Sequence, residues 1–403
     1  MSTAGRWSHS ACWTRGCSVV LVACFTLATG IIGVTGAGAA SRNVDGIAPG
    51  PINVGMIEPL SGALAPLGED VLDSTRAFIQ QLNASGGIDG HKLNLITEND
   101  QDNPANAVSE AGALASDHIA VAFGASLGSS LAEVIPVFTK DKIIIINNDA
   151  TDAYAYNTSL YPYYFTVQPS NRQDMQAMVN YAKEGGLKVG IITDGLPYSE
   201  NLVSDFQSEA AKAGVKVVST QSYSPVAVAL TTQVTALKDA GATAVATLGE
   251  TQFPAIYQSM SQLNFNVPIL GDAVTGTVPS NPSDTVAPCI DPLKKGQQPT
   301  AAEKSAATLV KAAGISSSDQ SATPLYRDEV QLYADAVKKA HSTATAAVVA
   351  QLQKMTKVAP TTPGYLQTFT AKSHAGWAGV DTACQVSPLG PDGYPYVAPA
   401  PTS

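Results

Sequence analysis

Three groups of residues in this 403-residue chain have the types and spacing to do chemistry. The first is Gly124-Ala125-Ser126-Leu127-Gly128, a G-x-S-x-G pattern between an apolar run and an amphipathic one. A serine on such a strand-to-helix elbow can serve as a nucleophile, and its chemistry would be acyl transfer. That chemistry needs a base and an orienting acid, and the only downstream histidines are His341 and His374. His341 ends an amphipathic stretch beside Lys338 and Lys339, where a cation at a helix C-terminus is the simpler role. No HGGG-like segment supplies oxyanion donors, so a secreted serine hydrolase using Ser126 is the weaker reading of this loop. The stronger reading includes Ser129 and Ser130. Backbone N–H groups and hydroxyls at a helix start form an anion cradle suited to a carboxylate, against the plainer role of capping the helix.

The second group, Glu250-Thr251-Gln252 and Asp272, follows two apolar runs at 242–248 and 267–270. Each acid taken alone is most simply a solvated loop residue. The third, Asn99-Asp100-Gln101-Asp102-Asn103, has the look of a Ca²⁺ loop but lacks the central Gly and distal Glu, and no metal is expected there. No cofactor is implied anywhere in the chain.

These residues must be held by regular elements, and the pattern of those elements is clear. Short apolar runs at 52–57, 92–96, 119–123 and 142–147 alternate with amphipathic stretches at 68–83, 104–116 and 129–140. The alternation resumes with helices at 171–184, 198–213, 230–240 and 253–263 and strands at 187–193, 215–220, 242–248 and 267–270. Unbroken Ile/Val runs point to strands covered on both faces, hence to parallel sheets in an α/β fold. The break near 161–171 divides the series into two doubly wound lobes. Residues 272–321 read as connecting loop, helices return at 325–341 and 343–356, and the tail from Pro360 is loop-rich with a few strands.

The chain carries a formal net charge of −10 and no Lys/Arg run, which excludes nucleic acid and anionic lipid as partners. Arg6 and Arg15 precede an apolar stretch over 16–40 that ends in Ala37-Gly38-Ala39, the order of an export signal cleaved near Ala39. Leu21-Val22-Ala23-Cys24 also matches a lipobox, which leaves a lipid anchor at Cys24 as the alternative. Outside this leader only Cys289 and Cys384 remain, and in an oxidising compartment they are expected to pair.

The segment INVGMIEPLSGALAPLGEDVLDSTRAFIQQLNASGGIDGHKLNLITENDQDNPANAV opens on Ile52, and FGASLGSS (123–130), INNDAT (146–151), ITDGLPYSENL (192–202) and PLYRDEVQLYADAV (324–337) follow it in order. Together they resemble the branched-chain amino-acid-binding (Leu/Ile/Val-binding) family, the type I periplasmic binding proteins of ABC transporters. The resemblance is close over 50–275 and looser over 320–360. It implies two Rossmann-like lobes joined by a three-crossover hinge, with ligand in the interlobe cleft. Lobe 1 would be 50–168 plus about 290–355, and lobe 2 would be 169–289 plus about 356–403, after the signal at 1–40.

The resemblance maps the ligand-carboxylate serines onto Ser129 and Ser130 and makes Asp149 (through its backbone), Ala150 and Thr151 ligand contacts. It places Tyr198 where a tyrosine closes over the ligand. An acid for a ligand ammonium falls on or beside Asp272, with Glu250 as the alternative and Gln252 beside it. The implied function is an exported binding protein without catalysis. Such a protein acts as a monomer, takes an amino acid, amide or small organic acid, and delivers it to a membrane ABC permease. A ligand-sensing receptor subunit of the same fold is the second reading.

Overall fold

The computed structural model describes residues 46–62, 64–148, 152–276, 281–289, 294, 296–312, 323–361, 366–378, 382–386 and 395–399. The leader expected over 1–40, with Cys24 and Ala39, lies outside the described residues. Among the described residues no helix is long and apolar enough to cross a membrane.

The first lobe runs β1 (Ile52–Glu58), α1 (Ala65–Ala84), β2 (Leu93–Asn99), α2 (Pro104–Ser116), β3 (Val121–Ala125), α3 (Gly128–Asp141), β4 (Ile144–Asn147), α4 (Asp152–Ala155) and β5 (Tyr164–Thr166). Its sheet has the order β2-β1-β3-β4-β5, with every neighbouring pair parallel. All residues of β3 and β4 are buried, as expected of strands with helices on both faces. Helix α2 starts where Asn103 accepts from the backbone N–H groups of Ala105 and Asn106, with Pro104 at the first helical position. The Asn99–Asn103 turn that looked faintly like a Ca²⁺ loop is therefore a helix cap joined to a strand end.

The second lobe continues with α5 (Asn171–Glu184), β6 (Lys188–Thr193), α6 (Pro197–Ala213), β7 (Lys216–Ser222), α7 (Thr231–Asp239), β8 (Ala244–Thr247), α8 (Phe253–Gln262), β9 (Ile269–Gly271), α9 (Ala273–Gly276) and β10 (Thr285–Cys289). A capping box opens α5, in which the Ser170 hydroxyl accepts from the Gln173 N–H and the Gln173 side chain accepts from the Ser170 N–H. The chain then returns to the first lobe as α10 (Ala301–Ala312), α11 (Thr323–Ala340) and α12 (Thr345–Leu352), and ends in β11 (Thr382–Gln385) and β12 (Tyr396–Val397). The second sheet has the order β12-β11-β10-β9-β8-β6-β7 and is parallel except that β11 runs antiparallel to both its neighbours, β10 and β12.

Three elements depart from the loop expected over 272–321: the short α9, β10 and α10. Pro288 masks β10 in the sequence because proline cannot donate to a ladder. The strand tolerates it because pairing with β9 stops at Val286, so the Pro288 nitrogen is not asked for a bond on that side. The segment beyond 355, which the resemblance assigns to the second lobe, divides. Met355, Phe369 and Trp377 are buried in the first core with Tyr333 and Val348, and the chain reaches the second sheet only at β11.

The crossovers lie side by side. Thr166 accepts from Gly376 and donates to the His374 carbonyl, and the Gln367 amide donates to the Val167 carbonyl. The His374 ring stacks on Phe165 at 3.9 Å. Its Nδ1–H donates to the Tyr164 carbonyl while Nε2 accepts from Gln353. Burial pushes this imidazole down to about 4, so it is neutral at any ordinary pH.

Cys289 and Cys384 form a disulfide that ties β10 to β11, with their Cα atoms 5.9 Å apart. The bridge closes a 95-residue separation, for which the chain-entropy model gives at most about 4–5 kcal/mol. Reduction, or the pair C289S and C384S, is expected to lower Tm by roughly 5–15 °C. Calorimetry alongside a thiol titration that finds two new thiols checks it, and an unchanged Tm would show that the bridge adds nothing.

Candidate functional site

The loops that follow β3, β6 and β8 meet one another at the carboxyl ends of their strands, where open α/β sheets place their ligands. On the first-lobe side, β3 turns at Ser126 and enters α3 at Gly128. Ser126 holds a left-handed φ of +76°, donates its N–H to the Ile57 carbonyl at 2.6 Å and gives its hydroxyl to the Asp100 carboxylate. The Ser130 hydroxyl also serves Asp100, and the Asp102 N–H reaches Asp100 Oδ1 at 3.2 Å. Burial pushes Asp100 above the usual carboxylate range, and these donors offset only part of that.

This arrangement bears on two of the sequence expectations. Ser126 is wholly buried with its hydroxyl on a carboxylate, not on an imidazole. His374 sits in the hinge, hydrogen-bonded to Tyr164 and Gln353, so the triad geometry of a hydrolase is not assembled here. Of the two serines expected to hold a carboxylate, Ser130 is buried against Asp100, and Ser129 alone presents its donors to the cleft.

The acceptor at Ser129 comes from the other lobe. Glu250, 121 residues away, takes the Ser129 N–H at 3.2 Å and the Ser129 hydroxyl at 2.8 Å. It therefore occupies the start of α3, where first-turn N–H groups lack a partner within the helix and favour negative charge. The Tyr198 N–H, in the first turn of α6, approaches the Ser129 hydroxyl oxygen at 3.4 Å, while the Tyr198 side chain belongs to the buried second core. Gly128 suits this position: its φ of +48° is one that side-chain-bearing residues rarely adopt, and a Cβ on it would force the Glu250 carboxylate aside.

Glu250 is aimed by Asp194, which stands just beyond β6. Asp194 Oδ2 accepts from the Glu250 N–H at 2.8 Å, and from the Thr251 N–H and hydroxyl at 3.1 Å each. The Tyr223 hydroxyl donates to the Thr251 carbonyl at 2.6 Å. Burial pushes the Glu250 carboxyl up to about 8, the Ser129 bonds opposing and the charges of Asp194 and Asp102 adding to it.

The remaining expectations fall in different places. Gln252 sits at φ +60° before α8 and donates its amide to the Pro225 carbonyl at 2.7 Å, away from Ser129. Asp272 is wholly buried behind the loops, accepting from the Thr275 N–H and hydroxyl at 2.8 Å, and burial pushes it to about 7. Asp149, Ala150 and Thr151 lie outside the described residues.

Four participants were not assigned to the site from the sequence: Asp100, Asp102, Asp194 and Glu329. Asp194 had a legible signal, an acid between a strand and a Gly-Leu-Pro helix start. Glu329 had none, because it lies mid-helix in α11. It is fully buried, the backbone N–H groups of Gly124 and Asn148 act on its carboxylate, and burial pushes its carboxyl well above the usual range. It thus spans from the returning helix to the ends of both β3 and β4.

A family model described as periplasmic binding protein matches residues 51–381. A Leu/Ile/Val-binding protein homolog of Brucella melitensis is 27% identical over 196 residues, covering 48% of this chain and 53% of that one. The chain thus spans about half the length of the curated relatives it matches. A periplasmic binding protein type 1 from Bordetella pertussis superposes with TM-score 0.73 at 24% identity, covering 83% of this chain and 96% of that one. A solute binding protein of an ABC transporter from R. palustris, in complex with 4-hydroxybenzoate, gives TM-score 0.72 at 15% identity over 88% and 97% of the two chains.

Gly128→Ala is expected to displace the Glu250 carboxylate from Ser129 and so loosen the closed arrangement of the lobes. Small-angle scattering of the unliganded variant should show a larger radius of gyration than wild type, with lobe 1 still folded. An unchanged radius would break the assignment of this contact. The pH dependence follows from Glu250. Its raised carboxyl lets the closed form bind a proton that the unfolded chain releases between the ordinary glutamate range and about 8. That contribution is fully present below about pH 4.5 and is lost as pH rises through about 8, at no more than about 1.4 kcal/mol per pH unit. Asp102, Asp272 and Asp328 are raised as well and act in the same direction. Melting curves between pH 5 and 8.5 should therefore fall with pH in wild type and less steeply in Glu250→Gln. Equal slopes would remove Glu250 from the account.

Proposed function

The chain belongs to the periplasmic binding protein family, and from that premise we propose that it is an exported solute-binding protein that closes on one small polar molecule and hands it to an ABC permease. The observation that carries this reading is the meeting of the two lobes at Ser129, Tyr198 and Glu250, which are supplied by separate lobes and stand at the carboxyl ends of their sheets. A molecule bound between such loops touches both lobes in the closed form and one in the open form, so it selects closure.

The activity is binding without chemistry. Relatives whose names cite Leu, Ile and Val, and a fold neighbour holding 4-hydroxybenzoate, bracket the size of ligand: one residue-sized polar compound. The chain acts as a monomer on the outer side of the membrane, released after cleavage near Ala39 or held by lipid at Cys24. The arrangement in which a partner receptor reads the closed form, instead of a permease, uses the same cleft.

Thermal melts against amino acids, amides, amines and small organic acids test the reading. A true ligand at a hundred times its Kd is expected to stabilise the fold by about 2.7 kcal/mol and to lower the radius of gyration. A flat response across all four classes would sink it.

A further inference from the structure

The closed cleft has an uneven electrostatic make-up. Among the described residues, Ser129 at the start of α3 already gives both its N–H and its hydroxyl to Glu250 of the other lobe. A ligand carboxylate would have to displace Glu250 and then share the cleft with it. Closure also brings like charges together. Asp102 of the first lobe acts on Asp194 and Glu250 of the second, and Asp272 acts on Asp194 from behind. Asp272 is wholly buried, and its Oδ2 has no hydrogen-bond partner among the described residues.

Among the described residues no protein cation answers these acids. No Lys, Arg or His contributes to the field at Asp102, Glu250 or Asp272. The ion pairs among the described residues lie elsewhere: Arg76 with Asp73, Arg172 with Asp205, and Lys212 with Glu209. Nor do the acids form a metal site, because no group of three or more His, Cys, Asp or Glu among the described residues is arranged to hold an ion.

Resting on the solute-binding reading above, we propose that the ligand is an organic cation, an amine or amidine with no carboxylate of its own, which stands among Asp102, Asp194 and Glu250 and neutralises the repulsion that opposes closure. Glu250 then plays two parts: it fills the Ser129 cradle in place of a ligand carboxylate, and it offers the ligand its charge. Binding of a cation has a second consequence. In the unliganded closed form burial raises Glu250 to about 8, Asp272 to about 7 and Asp102 to about 6, with like charge adding to each. A positive ligand lowers all three, so binding near pH 7 releases protons.

Titration calorimetry on the full-length protein with two matched series tests the proposal. One series is isoamylamine, leucinamide, leucine, isovaleramide and isovalerate. The other is benzylamine, benzamidine, benzamide and 4-hydroxybenzoate. The expected result is that the tightest ligand in a responding series is a carboxylate-free cation, at least about tenfold ahead of its neutral and anionic counterparts, the margin of one charge-assisted hydrogen bond. Its binding should weaken with salt and release protons, read from heats in two buffers of different ionisation enthalpy. Glu250→Gln should lose most of that margin, and a far-ultraviolet melt shows whether the variant is folded. Leucine, isovalerate or 4-hydroxybenzoate binding as tightly as the cations would overturn the proposal and leave the solute-binding reading standing. So would an unchanged cation affinity in folded Glu250→Gln. Silence from every compound, together with the flat melts described above, would take down both.

Discussion

The first turn of α3 begins with N–H groups that the helix itself cannot satisfy, at a point where they face the other lobe. Any helix start has this deficit, and water or a side-chain cap usually meets it. Here the residue before the helix is Leu127, which offers no capping oxygen. The first turn is therefore open to an acceptor from outside, and Glu250 supplies it with two hydrogen bonds through one serine. The left-handed Gly128, the buried Ser126 and the Asp194 turn that aims Glu250 all follow from holding this contact in place.

That contact is electrostatically expensive to build. Burying a carboxylate costs free energy unless donors or a cation compensate, and burial is the largest cause of the raised pKa at Asp100, Asp102, Glu250, Asp272, Asp328 and Glu329 alike. Asp194 takes four donors from its own loop and has only its charge left to offer, whereas Asp272 Oδ2 has no hydrogen-bond partner among the described residues.

The crossovers between the lobes are packed against each other by side chains as well as by backbone bonds. The Phe165–His374 stack and the Thr166 bonds to residues 374 and 376 tie the crossovers to each other, so that they bend together. Gly376 permits the close approach, since a Cβ there would stand 2.3 Å from the Phe369 ring.

Most of the fold was legible in the chain because its signals are local. Runs such as residues 144–146, all Ile and buried on both faces, and the Pro104 and Pro197 helix starts need no distant partner to be recognised. β10 was hidden by Pro288, which is acceptable only because β9 is short, a fact about a neighbouring strand. The site divides in the same way. Sequence alone placed Ser129, Tyr198 and Glu250 at strand-end loops, since βα order determines which residues follow a strand. Only the tertiary structure decided that Ser130 turns to Asp100, that Gln252 turns to Pro225, and that Glu250 rather than Asp272 meets Ser129. Those choices depend on which lobe faces which, a long-range packing outcome. Sequence spacing cannot encode it, because a hydroxyl or carboxylate bonds to whatever folding brings within about 3 Å.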